Sequence, residues 1–104
     1  NKIKAWKRHS IQIQNITVPV GVILLVIYDP RKNSNTFKNL IVSKIGRPNN
    51  YKRVKIPPGV WYGFKCIGKS NALIVNCTNI PHDSKESQLI DFNDSKIPYK
   101  WWII

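Results

Sequence analysis

With 104 residues the chain has enough material to bury one core and too little for two, so it reads as a single domain over residues 1–104. A hydrophobic content of 42%, with four Trp, four Tyr and three Phe, excludes a disordered chain. Seventeen Lys and Arg against five Asp and Glu leave a net charge of +12, a field that attracts phosphates, nucleic acid or an anionic membrane without choosing among them.

The β-branched residues cluster in short runs between turn formers, and few stretches carry a helical period, which predicts an all-β sandwich or barrel. In chain order the strands are expected at residues 2–9, 11–19, 22–28, 37–45, 51–56, 61–67 and 71–77. Val20-Gly21 divides two apolar runs, residues 29–34 form a loop, and Pro57-Pro58-Gly59 is a rigid turn. Beyond Thr78 the chain turns polar through residues 81–87, where His82 reads as an exposed imidazole without a role. It closes on Pro98, Tyr99, Lys100, Trp101 and Trp102, an aromatic cluster expected on the outside of the barrel.

The longest apolar run, residues 18–28, is broken by Pro19 and Gly21 and is too short to cross a bilayer, and no leader opens the chain, so a membrane is not an expected partner. Cys66 and Cys77 belong to no Cys-x-x-Cys pair, which makes reduced thiols and a cytoplasmic location the expectation.

Two constellations carry the chemistry. Lys7-Arg8-His9 is followed by Gln12, Gln14 and Gly21, a spacing similar to that of metal-binding cupins, in which alternate residues of one strand point into the barrel together. In the second, Pro57-Pro58-Gly59-Val60-Trp61-Tyr62, Tyr62 stands where the cupin pattern has its last His ligand. Lys7 and Gln14 fill two other ligand places, leaving one imidazole of three, so no metal and no other cofactor is expected.

At these blocks the chain resembles the dTDP-4-dehydrorhamnose 3,5-epimerase family, and in particular its short relatives in sugar-nucleotide loci. The residues that carry the resemblance are 3–9, the Asp29-x-Arg31 and Ser34-x-Thr36-Phe37 loop, residues 56–66 and residues 97–101, almost end to end. The resemblance implies a cupin-type double-stranded β-helix, or jelly-roll, that lacks strands found upstream in the family, and a homodimer. It also implies a nucleotide-sugar substrate, a dTDP-4-keto-6-deoxy sugar used in surface-polysaccharide synthesis. The implied reaction removes a proton beside the ketone and returns one, which needs a base, an acid and a group to hold the enolate oxygen.

In that scheme His9 matches the catalytic base, for which an imidazole, with an ordinary pKa of about 6.5, is suited. Tyr62 takes the place of the second active-site His and can donate a hydrogen bond to a keto oxygen. Lys7, Arg8, Gln12 and Gln14 are the expected substrate-binding residues, Gln14 standing where the family has a Lys near the enolate. The family's acidic Tyr corresponds to Val75, and its base-orienting Asp falls beyond the end of this chain. The five carboxylates show no spacing that sets up two-carboxylate chemistry. A single epimerisation, a keto-sugar isomerisation and a non-catalytic nucleotide-sugar-binding barrel therefore stand beside the double epimerisation, and nucleic-acid binding ranks last for want of a recognised motif.

Overall fold

The computed structural model describes residues 2–81 and 83–101; His82 and Trp102 lie outside them. Eight strands follow one another: β1 (Ile3–His9), β2 (Gln14–Val20), β3 (Val22–Tyr28), β4 (Leu40–Gly46), β5 (Val54–Ile56), β6 (Trp61–Cys66), β7 (Leu73–Asn76) and β8 (Ser87–Leu89). They form an antiparallel five-stranded sheet in the order β4-β3-β6-β1-β8 and an antiparallel three-stranded sheet in the order β5-β2-β7. This is the expected all-β, cupin-type jelly-roll.

Two cores explain the sequence pattern. Between the sheets, Ile16 and Val18 of β2 meet Ile23 and Leu25 of β3, with Ile45, Ile56, Val60 and Tyr62 completing the interior. On the other face of the larger sheet Trp6, Val26, Trp61, Ile97 and Trp101 make a second cluster. β3 is apolar at every position because it lies between β4 and β6 and has a core on each side. Of the C-terminal aromatics, Tyr99 and Trp101 pack on the outside of the barrel, as expected; Tyr99 is partly buried, and Trp101 is fully enclosed beside Trp6, both 0% exposed with ring centroids 5.3 Å apart.

The strands are shorter than the apolar patterns suggest. β2 begins at Gln14, three residues late, because the amides of Ile11 and Gln12 donate to the Glu86 carboxylate and that of Ile13 to Asn79 Oδ1 instead of to a ladder. β4 begins at Leu40 because residues 34–39 are folded into turns, with Phe37 N donating to Ser34 O, Asn39 N to Thr36 O, and Lys38 at φ 67°. Only Val54–Ile56 of the fifth expected strand pairs with β2. β8, for which no strand is expected from the sequence, adds an edge strand beside β1. Gly21 makes the β2–β3 turn at φ 80°, where a Cβ would lie 2.7 Å from Ala72 Cα, so no other residue fits without backbone movement.

Candidate active site

β1 is the wall shared by both cores, and its alternation sorts the candidate residues. His9 and Lys7 face the barrel, whereas Trp6 and Arg8 face outward; a bulge between Lys4 and Lys7 sets this phase. The outgoing end of β1 is pinned by the Pro57-Pro58-Gly59 turn, whose Gly59 amide donates to His9 O at 2.7 Å. Gly59 sits at φ 90°, and a Cβ there would lie 2.8 Å from Arg31 Cδ. Arg31 is held in turn by buried Asp29, through Nε at 2.9 Å and Nη2 at 3.0 Å, with Thr36 Oγ1 donating to the same carboxylate. The Arg31 hydrogen bonds are the main reason that the Asp29 carboxyl titrates far below its ordinary range. The Asp-x-Arg and Ser-x-Thr loop thus acts as a clasp behind the turn that fixes His9.

The His9 ring is 6% exposed and has a partner on each nitrogen. Nδ1 lies 2.6 Å from Glu86 Oε1, and Nε2 lies 3.1 Å from the Tyr62 hydroxyl, whose ring is stacked at 17° to the imidazole. Burial alone would raise the Glu86 carboxyl, but the hydrogen bonds from His9 and from the amides of Ile11 and Gln12 outweigh it and bring the group down to about 2. An ionised carboxylate only accepts, so Nδ1 carries a proton. Burial, reinforced by the Glu86 charge, pushes the Tyr62 phenol up to about 12, so its hydroxyl is a neutral donor aimed at the lone pair of Nε2. This is an imidazole held in one tautomer by a carboxylate.

Glu86 is the residue that sequence reasoning missed. It stands 77 residues from His9, at the end of the short 3-10 turn Ser84–Glu86, and takes the orienting place that the resemblance put beyond the end of the chain. The signal available was Asp83 three residues ahead of it, a capping pattern that the structure realises with Asp83 Oδ1 accepting from Lys85 N at 3.0 Å.

Gln12 and Gln14 join the same network as supports. The Gln12 amide nitrogen donates to Ile80 O at 3.0 Å, Gln14 Nε2 donates to Gln12 Oε1 at 2.7 Å, and Asn76 Nδ2 donates to Gln14 Oε1. With both side chains buried and their amides paired, neither presents a free group to a substrate. Arg8 is not brought to the site: strand alternation turns it outward, where its guanidinium lies 4.8 Å from the centroid of the Trp61 ring and bonds Gln88. Val75, at the position of the family's acid, is also on an outward row, while its neighbour Ile74 packs against the inner core and Asn76 reaches Gln14.

Beside Tyr62 the barrel opens into a cavity of about 400 Å³ lined by Lys4, Lys7, Phe64 and Leu89. Lys7 pairs with Tyr62 on one side and with Leu89 on the other, so all three side chains share the inner face of the sheet. Lys4 and Phe64 also line a second cavity of about 480 Å³, which adds Lys2 and Lys69. The two cavities share Lys4 and Phe64, and their walls carry four lysines, Lys2, Lys4, Lys7 and Lys69. Among the described residues no group of three or more His, Cys, Asp or Glu comes together to hold a metal, and both nitrogens of His9 are already engaged.

Comparison with known proteins agrees with this fold. The sequence profile of the family described as dTDP-4-dehydrorhamnose 3,5-epimerase matches residues 5–104. The chain is 36% identical over 98 residues to the probable low-salt glycan biosynthesis epimerase Agl13 of Haloferax volcanii, covering 93% of this chain and 59% of that protein. It superposes on a dTDP sugar isomerase from Desulfovibrio desulfuricans with a TM-score of 0.94 at 47% identity, covering 96% of this chain and 64% of the other. A dTDP-4-dehydrorhamnose 3,5-epimerase from Bacillus anthracis, solved with TDP and PPi bound, has the same fold, with a TM-score of 0.83 at 22% identity over 99% of this chain and 59% of that one. The chain therefore spans about three-fifths of the length of these relatives.

Proposed function

The chain belongs to the dTDP-4-dehydrorhamnose 3,5-epimerase family, and from that premise we propose that it acts on a dTDP-4-keto-6-deoxy sugar by removing a proton beside the ketone with His9. The observation that carries the reading is the His9 ring held between Glu86 and Tyr62, with Tyr62 in turn lining a cavity that it shares with Lys4 and Lys7. His9 Nε2 takes the proton as the C–H pair moves into the enolate, and Glu86 balances the imidazolium through Nδ1. The Tyr62 hydroxyl turns from Nε2 to the keto oxygen. Lys2, Lys4 and Lys69 suit the diphosphate, since ammonium groups on a half-enclosed wall favour an anion.

A second reading, movement of the carbonyl within the sugar, is favoured by one feature. The inner row of β7 offers Ile74 and Asn76, neither of which is an acid that could return a proton on the face opposite His9. A base that delivers the proton to the former carbonyl carbon on its own side, as the neighbouring hydroxyl gives up its proton and becomes the new carbonyl, moves the ketone without an acid on the opposite face.

The reading includes a cytoplasmic homodimer. The free thiols of Cys66 and Cys77 suit a reducing compartment, and the β4 edge, with Ile41 and Val42 about half exposed, suits burial by another strand. The name of the Haloferax relative supports a place in glycan biosynthesis.

The test is incubation with a dTDP-4-keto-6-deoxyhexose in deuterium oxide, followed by NMR of the carbons flanking the ketone. Uptake at one or both carbons, lost in His9→Ala, is the expected result. Inversion at a labelled carbon identifies epimerisation, and a moved carbonyl identifies isomerisation. Saturable binding without uptake overturns both in favour of a binding barrel.

A further inference from the structure

We propose that Lys7 is the cation that holds the enolate oxygen, in place of the lysine that the family resemblance sets at Gln14. The inference rests on the keto-sugar reading above and assigns a catalytic residue within it.

Three observations converge on Lys7. Gln14 cannot serve: it is neutral, 2% exposed, and both ends of its amide are committed, to Gln12 and to Asn76. The charge must then come from another residue of the inner wall. Lys7 lies two residues before His9 on β1, hence on the same face, and directly opposite Tyr62 on β6. It also lines the cavity in which Tyr62 ends, together with Lys4, which lies one bulge further from His9. Among the described residues the ion pairs are His9 with Glu86 and Arg31 with Asp29, so none of their carboxylates is paired with the Lys7 ammonium.

The electron balance requires such a charge. When His9 Nε2 removes the proton, the C–H electron pair forms the carbon–carbon double bond and the carbonyl π pair moves to oxygen. Glu86 offsets the proton gained by His9, but it adds a negative charge on the far side of the ring and nothing positive at the new oxyanion. Tyr62 donates a hydrogen bond there without net charge. An ammonium donor beside the phenol completes the pair, and a half-enclosed cavity makes its charge count for more than it would in water. On returning the proton, His9 restores the ketone and Lys7 keeps its own protons throughout.

The experiment compares Lys7→Met and Lys7→Arg with the wild-type full-length protein, reading kcat and KM for deuterium uptake and the affinity for dTDP alone. Removal of one oxyanion donor typically costs about 10²–10³-fold in kcat. Lys7→Met is expected to lose that much, with dTDP affinity within about threefold of wild type, and Lys7→Arg is expected to recover at least about tenfold of the loss. A Lys7→Met variant with kcat within about threefold of wild type, or one in which only KM and dTDP affinity change, overturns the assignment and makes Lys7 a binding residue. Wild-type protein that binds dTDP without deuterium uptake overturns the keto-sugar reading itself, and the role of Lys7 with it.

Discussion

Glu86 Oε1 sits 2.6 Å from His9 Nδ1, with Oε2 of the same carboxylate bound by the amides of Ile11 and Gln12. One side chain therefore sets the tautomer of the imidazole and ends the ladder of β2. Replacing it tests both functions.

Glu86→Gln keeps the shape but lets the group donate as well as accept, so Nδ1 is no longer fixed as the protonated nitrogen. We expect kcat for deuterium uptake to fall by about 10²-fold or more with KM little changed, since a base in the wrong tautomer binds substrate but does not take the proton. A variant with wild-type kcat at every pH would leave Glu86 a purely structural residue.

The same carboxylate makes stability depend on acid. Its pKa is about 2 in the folded chain against an ordinary 4.5. Below pH 4.5 the unfolded chain takes up a proton that the folded one refuses, so acid favours unfolding. The Glu86 contribution is complete above about pH 4.5 and disappears as pH falls through about 2. Asp29, also lowered, acts in the same direction. Thermal unfolding between pH 7 and pH 2 should show Tm falling on the acid side, and Glu86→Gln should flatten that slope; an unchanged slope would place the acid sensitivity elsewhere.

Tyr62 produces the opposite limb. Its folded pKa of about 12 exceeds the ordinary 10, so between these values the unfolded chain loses a proton that the folded chain keeps. Stability should decline from pH 10 towards 12, and Tyr62→Phe should remove that part of the decline. The same variant leaves Nε2 without its 3.1 Å partner, and uptake should drop by about tenfold or more if the hydroxyl serves the keto oxygen. Chemical denaturation at pH 9 and 11 separates the stability effect from the kinetic one.

Trp101→Ala should cost about 3–5 kcal/mol, the usual cost of emptying a large aromatic site. Trp101 is 0% exposed and touches both Trp6 and Tyr99. Denaturant unfolding measures the loss directly. A loss under about 1 kcal/mol would mean that the outer cluster re-forms without it.

The fold was legible in the sequence because local signals carry it: turn formers, β-branched runs and the apolar β3 each report their own surroundings. His9 and Tyr62 were legible as a motif and are in contact in space. Glu86 was not, since its role depends on a polar loop returning over the end of β1, and nothing local marks that return beyond the Asp83 cap. Arg8 was assigned to the substrate from its place beside His9, where strand alternation sends it to the other face. Gln12 and Gln14 were expected to bind substrate, whereas long-range partners at Ile80 and Asn76 take their amides. The late start of β2 follows from the same cause, amides diverted to a carboxylate 74 and 75 residues away.

The placement of β1 between two cores has a further consequence. A strand whose alternate side chains are demanded by different neighbours has a single workable phase. Slipping it by one residue would expel Trp6 from its enclosure at the step that turns His9 away from the barrel. Mispaired chains should then fail as folded molecules as well as catalysts, so the folded fraction of a preparation and its fraction of competent sites should coincide. Titration with a tight ligand ought to return the same number as a count of natively packed tryptophans.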